Sequence, residues 1–277
     1  MKKLILFLAI GSFTSSVNAQ DLPKPSPLSK VEQVVGLTEF SIEYSRPSAK
    51  DRDIFGKLVA YDKLWRLGAN SCTKFTTSTD VVISGTTIKP GTYSMFATPS
   101  KSGEWTIDFN TNSEQSGTSD YDATKNVVSA KVKSLKNSFT ETLTIGFDNL
   151  TANSGIISIK WENLRVDVPF TVNTSAVAEK NITDAIAKGE NLGNVYYNAA
   201  SYFSADKDKT KANMYLDKSI AVEKNHKNTF MKARMAKEVG NTAEAITLAK
   251  EALALAEKAE HKGWASYIAS TIQEWSK

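Results

Sequence analysis

Between Tyr44 and Asn70 the chain gathers residue types suited to holding a ligand. Tyr44, Arg46, Lys50, Arg52, Trp65, Arg66 and Asn70 fall in one loop-like stretch, punctuated by Gly56 and Gly68. A guanidinium is planar and pairs bidentately with carboxylate or phosphate. The rings of Tyr44 and Trp65 offer stacking faces, and loops carry function out of proportion to their length. These seven are the candidate ligand-binding residues, for a glycan or a small anion. The same residues admit an architectural role, with arginines tying an irregular loop to backbone carbonyls and Trp65 plugging the end of a sheet.

Catalytic alternatives are thinner. A Ser/His/Asp or Cys/His nucleophile needs an imidazole beside it, and residues 30–172 contain no histidine. His226 and His261 both lie further on and read as ordinary surface or cap residues near helix starts. The chain shows no cysteine cluster, EF-hand spacing, phosphate-cradling Gly-Lys motif or dinucleotide glycine fingerprint, so neither metal nor cofactor is expected. Asp51, Asp53, Asp62 and Asp80 remain as a source of paired-carboxylate chemistry on a glycan or envelope polymer. Their plainer role is salt bridging to the nearby arginines and lysine, or turn capping. Cys72 is the single cysteine, so the chain holds no internal disulfide. It reads as a small, partly buried strand residue.

The elements that must position these residues follow from the totals and the order of the chain. At 277 residues, 41% hydrophobic and 23% charged, the chain suits two domains of ordinary globular composition. Its formal charge is +4, two units of which come from Lys2 and Lys3, and no basic stripe marks a nucleic-acid binder. Residues 1–19 read as an export signal: Lys2-Lys3, an apolar run from Leu4 to Ile10, and Val17-Asn18-Ala19 before a cleavage point after Ala19. That run is shorter than the ~20 residues a spanning helix needs. No later run is long enough, so a periplasmic or secreted address without a membrane span is expected. Residues 20–29 are a Pro-rich leader, with Pro23, Pro25 and Pro27 keeping it extended.

From 30 to 172 the period is two. Val31, Gln33 and Val35 share one strand face, and Phe40, Ile42 and Tyr44 alternate through the next. Further strands are expected at 72–77, 81–83, 86–89, 93–98 and 105–109. Pro90-Gly91 reads as a type II turn, and 111–126 as a polar surface loop. Leu143, Ile145 and Phe147 alternate cleanly, then Ile157, Ile159 and Trp161, then Val166, Val168 and Phe170. About ten short strands of this kind predict an antiparallel β-sandwich or jelly-roll-like domain.

At Asn173 the period changes, and residues 173–277 read as helical: 174–187, 194–205, 208–223, 228–239, 242–259 and 263–275, with Gly240-Asn241 as a clean break. The run from Ala212 to Val222 aligns with that from Ala245 to Leu255 at an offset of 33 positions. That is close to the ~34-residue period of tetratricopeptide helix pairs, which need about three repeats and atypical ends. The region is expected to be a short tetratricopeptide-like bundle, with Tyr196, Tyr197, Phe203, Met214, Tyr215 and Trp264 either packing it or lining a docking surface for a protein or peptide.

The motifs Tyr44-Ser45-Arg46-Pro47, Lys50-x-Arg52, Ile54-Phe55-Gly56-x-Leu58-Val59-x-Tyr61, Trp65-Arg66-x-Gly68-Ala69-Asn70 and Thr73 occur in that order. Asp80-Val81, Gly91-Thr92-Tyr93 and Trp105 follow. Residues 29–172 thereby resemble the secreted bacterial family of unknown function twenty-nine-eleven. Its members often continue into helical repeats that end in a Glu-Trp pair, as Glu274-Trp275 does here. The chain departs from that pattern in having Ala60 where proline is usual and Cys72 where alanine is usual, which argues against a thiol chemistry common to the family. The resemblance implies no activity. The expected function is that of an exported, non-enzymatic binding or interaction protein. Alternatives are an enzyme using carboxylates near the Arg46–Asn70 loop, and a purely structural module.

Overall fold

A computed structural model describes residues 22–205 and 208–277. The export signal and its cleavage point fall outside the described residues. The chain divides at Val172/Asn173 into two compact units, a β unit and a helical unit.

Nine strands build the β unit: β1 (Leu28–Val35), β2 (Thr38–Ser45), β3 (Ala69–Thr77), β4 (Val81–Ile83), β5 (Thr86–Ile88), β6 (Gly91–Thr98), β7 (Glu104–Asn110), β8 (Asn126–Asp148) and β9 (Ser154–Val172). They form one antiparallel sheet in the order β1-β2-β3-β6-β7-β8-β9-β4-β5. The sheet folds over a single core because β8 serves two layers. Its first half pairs with β7 (Trp105↔Val132), and its second half pairs with β9 (Ile145↔Ile159).

Sequence alternation called for separate strands at 157–161 and 166–170. In the structure both belong to β9, and the 143–147 strand is the far end of β8. Register shifts between Lys136 and Thr144, with Glu162 at φ 50° opposite, let a long ribbon bend where a shorter one would stop. The type II turn expected at Pro90-Gly91 is also different: Gly91 sits at φ 150° and opens β6 directly.

Alternation fills the core as the period requires. Phe40, Ile42 and Tyr44 of β2 point inward, toward Phe75 and Phe109 on one layer and Phe147 and Phe170 on the other. Phe40 is the hub, with ring centroids 5.8 Å from Phe75, 5.7 Å from Phe147 and 4.9 Å from Phe170. A second aromatic cluster joins Phe55, Trp65, Trp105 and Trp161.

The helical unit runs α1 (Thr174–Lys188), α2 (Leu192–Ala205), α3 (Lys209–Val222), α4 (His226–Glu238), α5 (Thr242–Lys258) and α6 (Lys262–Trp275). Caps set the ends. Asn173 accepts from the Ala176 amide before α1, and Asn225 with Asn228 closes a reciprocal capping box on α4. Gly240, at φ 83°, ends α4 in the left-handed region that glycine enters without a Cβ penalty. Ala212, Leu216 and Ser219 of α3 are buried, and so are their counterparts at the same offset in α5, Ala245, Ala249 and Ala252. All of these but Leu216 are small, which lets the helices of each pair approach closely. Phe203 stacks on Tyr215 with ring centroids 5.6 Å apart, whereas Met214 faces outward. Among the described residues, no helix is long and apolar enough to cross a membrane.

The aromatic hub fixes a prediction. Phe40→Ala removes three ring contacts at once and should cost about 3–5 kcal/mol of stability, read from urea unfolding. A loss below about 1 kcal/mol would mean that other contacts hold the two layers together.

Candidate functional site

The loop from Arg46 to Gly68 is irregular because its backbone bonds go to several strands in turn. The Ala49 amide donates to Glu141 O (2.7 Å) and the Leu143 amide to Pro47 O (2.9 Å). Trp65 and Ala97 exchange both backbone bonds at 2.8 Å, which lays the end of the loop along β6. Five of the non-glycine residues with positive φ fall in this part of the chain: Lys50, Asp51, Asp62, Leu67 and Asn70. Leu67 holds its conformation by complete burial, and its carbonyl accepts the Thr73 hydroxyl at 2.6 Å. Gly68 is required by close approach, since a Cβ there would lie 3.0 Å from Ser45 O.

The structure sorts the seven sequence candidates into two groups. Arg52, Trp65 and Arg66 line one cavity of about 290 Å³, together with Pro47, Val59 and Trp161. Tyr44, Arg46, Lys50 and Asn70 do not line it. Tyr44 is buried, and its hydroxyl donates to Ile145 O (3.1 Å) and accepts from Ile145 N (2.8 Å). Arg46 donates through Nε to Leu143 O and through Nη2 to Thr144 Oγ1. Asn70 donates to Ser26 O and Ser45 Oγ. Lys50 is exposed, and among the described residues only its backbone amide is engaged, by Glu141 Oε1. For these four the architectural role describes what the side chains, or in Lys50 the backbone, do.

Sequence reasoning missed Trp161. The signal was present, because Trp161 ends the inward-facing series Ile157, Ile159, Trp161, but nothing local ties position 161 to position 65. In space the two indoles stack at 5.8 Å with a 24° tilt, and each is fixed by its own hydrogen bond. Trp65 Nε1 donates to Gly68 O and Trp161 Nε1 to Glu141 O.

The electrostatics of the cavity are one-sided. Arg52 donates to Ala49 O (2.9 Å) and Ser48 O (2.6 Å). Arg66 Nε is sealed from solvent and has no hydrogen-bond partner among the described residues. Among the described residues neither arginine forms an ion pair. Of the four acids around the loop, Asp53 pairs with Lys57 and Asp80 with Lys89, and no carboxylate lines the cavity among the described residues. Burial pushes the Cys72 thiol up, against a smaller downward pull from Arg66, so it stays protonated while donating to Gly117 O.

His261 is the exposed residue capping the start of α6 that its setting implied, but His226 is not a surface residue. His226 is buried at the start of α4, with its ring 4.7 Å from that of His261 and 5.5 Å from Trp264. Burial first, then the His261 and Lys227 charges, hold its pKa below the ordinary 6.5. Among the described residues no group of three or more His, Cys, Asp or Glu is placed to hold a metal ion.

A family model described as Protein of unknown function (DUF2911) matches residues 26–170. The chain belongs to that family. Neither the curated proteins nor the solved structures gave a match.

Two predictions follow from these contacts. Tyr44→Phe strands both backbone groups of Ile145 and should cost about 1–3 kcal/mol, with faster exchange of the Ile145 amide. Unchanged stability and exchange would show that the hydroxyl is dispensable. The second concerns pH. His226 takes up its proton at lower pH folded than unfolded, so its contribution is complete above about pH 7 and declines as pH falls through the folded pKa. The melting temperature should fall on acidification from about pH 7 to pH 5, and His226→Phe should flatten that slope. An equal slope in the variant would place the sensitivity elsewhere.

Proposed function

We propose, taking membership of that family as the premise, that the protein is an exported, non-enzymatic binding protein. Its β unit captures a small anion with a ring or apolar body at the Arg66 cavity. One observation carries this reading: a guanidinium with a sealed, unpartnered Nε beside two fixed indole faces. A buried polar group left unpaired costs roughly 1–3 kcal/mol, and a ligand acceptor reaching this one beside the indoles would recover that cost. A carboxylate supplies the two acceptors that a guanidinium fork matches. The indoles supply the apolar wall on which a ring lies.

Binding is favoured over glycan cleavage because two-carboxylate hydrolysis needs a pair of acids facing across the ligand. This cavity is walled by arginine and tryptophan instead. Lys2-Lys3, the apolar run and the small residues before Gln20 support a periplasmic or secreted address.

For the helical unit we read a tetratricopeptide-like stack with a docking role. Helices α2, α4 and α6 begin at Leu192, His226 and Lys262, spacings of 34 and 36 residues, and α3 and α5 begin at Lys209 and Thr242, a spacing of 33. These match the period of such repeats, with α1 at one end.

The cavity is tested by thermal shift with glucuronate, benzoate and inorganic phosphate as probes. Glucuronate or benzoate should raise the melting temperature of the native chain and leave that of Arg66→Met unmoved. Without ligand, Arg66→Met should melt at or above the native temperature, because a sealed donor without a partner has been removed. A ligand-free loss of several degrees, or an equal ligand shift in the variant, would assign Arg66 to architecture.

A further inference from the structure

The helical unit carries a groove of about 330 Å³ between α2, α4 and α6. Tyr197 lines it from α2, Lys227, Met231 and Arg234 from α4, and Trp264 and Tyr267 from α6. Its charge is unbalanced in a specific way. Helix α4 bears four cations. Two lie off the groove and are engaged: Lys232 pairs with Asp217, while Lys237 donates to Thr242 and sits 6.0 Å above the Trp275 ring. The two facing the groove, Lys227 and Arg234, are exposed and have no carboxylate partner among the described residues. Glu238, the one acid in the lining among the described residues, is already neutralised by Lys209. Tyr267, 53% exposed, leaves apolar ring surface beside these charges, edge-on to Phe230 and Trp264.

Two unpaired cations next to Met, Trp and Tyr surface complement one kind of partner. We infer that this groove docks an acidic, extended segment of another protein, its carboxylates on Lys227 and Arg234 and a neighbouring apolar side chain over Met231, Trp264 and Tyr267. A concavity between three helices admits a chain segment, whereas a flat anionic surface would meet only its rim. The polar contribution is solvent-exposed and hence salt-sensitive, and the apolar contribution is not. This inference stands apart from the Arg66 cavity and does not depend on it.

The test pans a library of random linear peptides on the immobilised full chain. Recovered sequences should be enriched in Asp and Glu beside Leu, Ile or Phe. A fluorescein-labelled copy of an enriched peptide should bind the native chain more weakly as salt rises. The Lys227→Gln/Arg234→Gln double variant should lose about tenfold in affinity, as should a peptide whose acids are replaced by their amides. Both side chains are exposed, so the far-UV circular dichroism should not change, and Lys227→Arg/Arg234→Lys should restore binding. Arg66→Met should bind the peptide like the native chain, which separates failure of the cavity from failure of the groove. Recovery of peptides without acidic enrichment, or equal binding by the double variant, would overturn the inference. So would self-association in sedimentation that the double variant abolishes, since a second copy would then fill the groove.

Discussion

One phenolic hydroxyl fixes where the irregular loop of the β unit begins. Tyr44 Oη bonds both the amide and the carbonyl of Ile145, a residue 101 positions away in sequence. A buried group that serves as donor and acceptor to the same residue cannot slide along the strand without losing both bonds. Arg46, two residues on, repeats the attachment at Leu143 and Thr144. These contacts join the end of β2 to the far half of β8, and the chain leaves for the cavity from a fixed point.

From that anchor the strained backbone becomes intelligible. Residues in sparsely populated φ/ψ regions cost on the order of 1–3 kcal/mol each, and they persist where surrounding contacts over-determine them. Leu67 is such a residue, fully buried and held at its carbonyl by Thr73. Gly68 follows, accepting from Trp65 Nε1 and lying too close to Ser45 O to carry a side chain without a shift. The stack of Trp65 on Trp161 therefore rests on indoles with little freedom to reorient. A ligand meeting that wall would find it already ordered, which lowers the entropic cost of binding.

The sequence made the two-unit organisation, most strands and all six helices legible, because each depends on local periodicity. Phe40-Ile42-Tyr44 shows a period of two, and Ala212-Leu216-Ser219 a helical spacing, without reference to distant residues. What stayed hidden depends on partners far along the chain. That β8 and β9 are long bent ribbons follows from register shifts against each other, which no single strand displays. The same limit applied to the site. Residue types drew attention to seven positions, yet only the fold separates Arg46, spent on the Leu143 carbonyl and the Thr144 hydroxyl, from Arg66, whose Nε has nothing to bond among the described residues. It applied to His226 too, since a polar residue opening a helix reads as exposed until Trp264 and His261 are seen packed against it.

The two cationic surfaces differ in the physics that would make them selective. At Arg66 the charge is partly withdrawn from water before any ligand arrives, so a carboxylate entering the cavity meets a low local dielectric and an unmet donor. Discrimination there rests on geometry, because a misplaced acceptor leaves the donor as poorly satisfied as before. Lys227 and Arg234 are hydrated in the free protein, and each exposed pair formed with them is worth only ~0–1 kcal/mol after screening. Selectivity in the groove must therefore come from several weak carboxylate contacts acting together with apolar burial against Trp264 and Tyr267. The cavity is suited to one compact anion in one orientation, and the groove to a run of acidic residues in any of several registers.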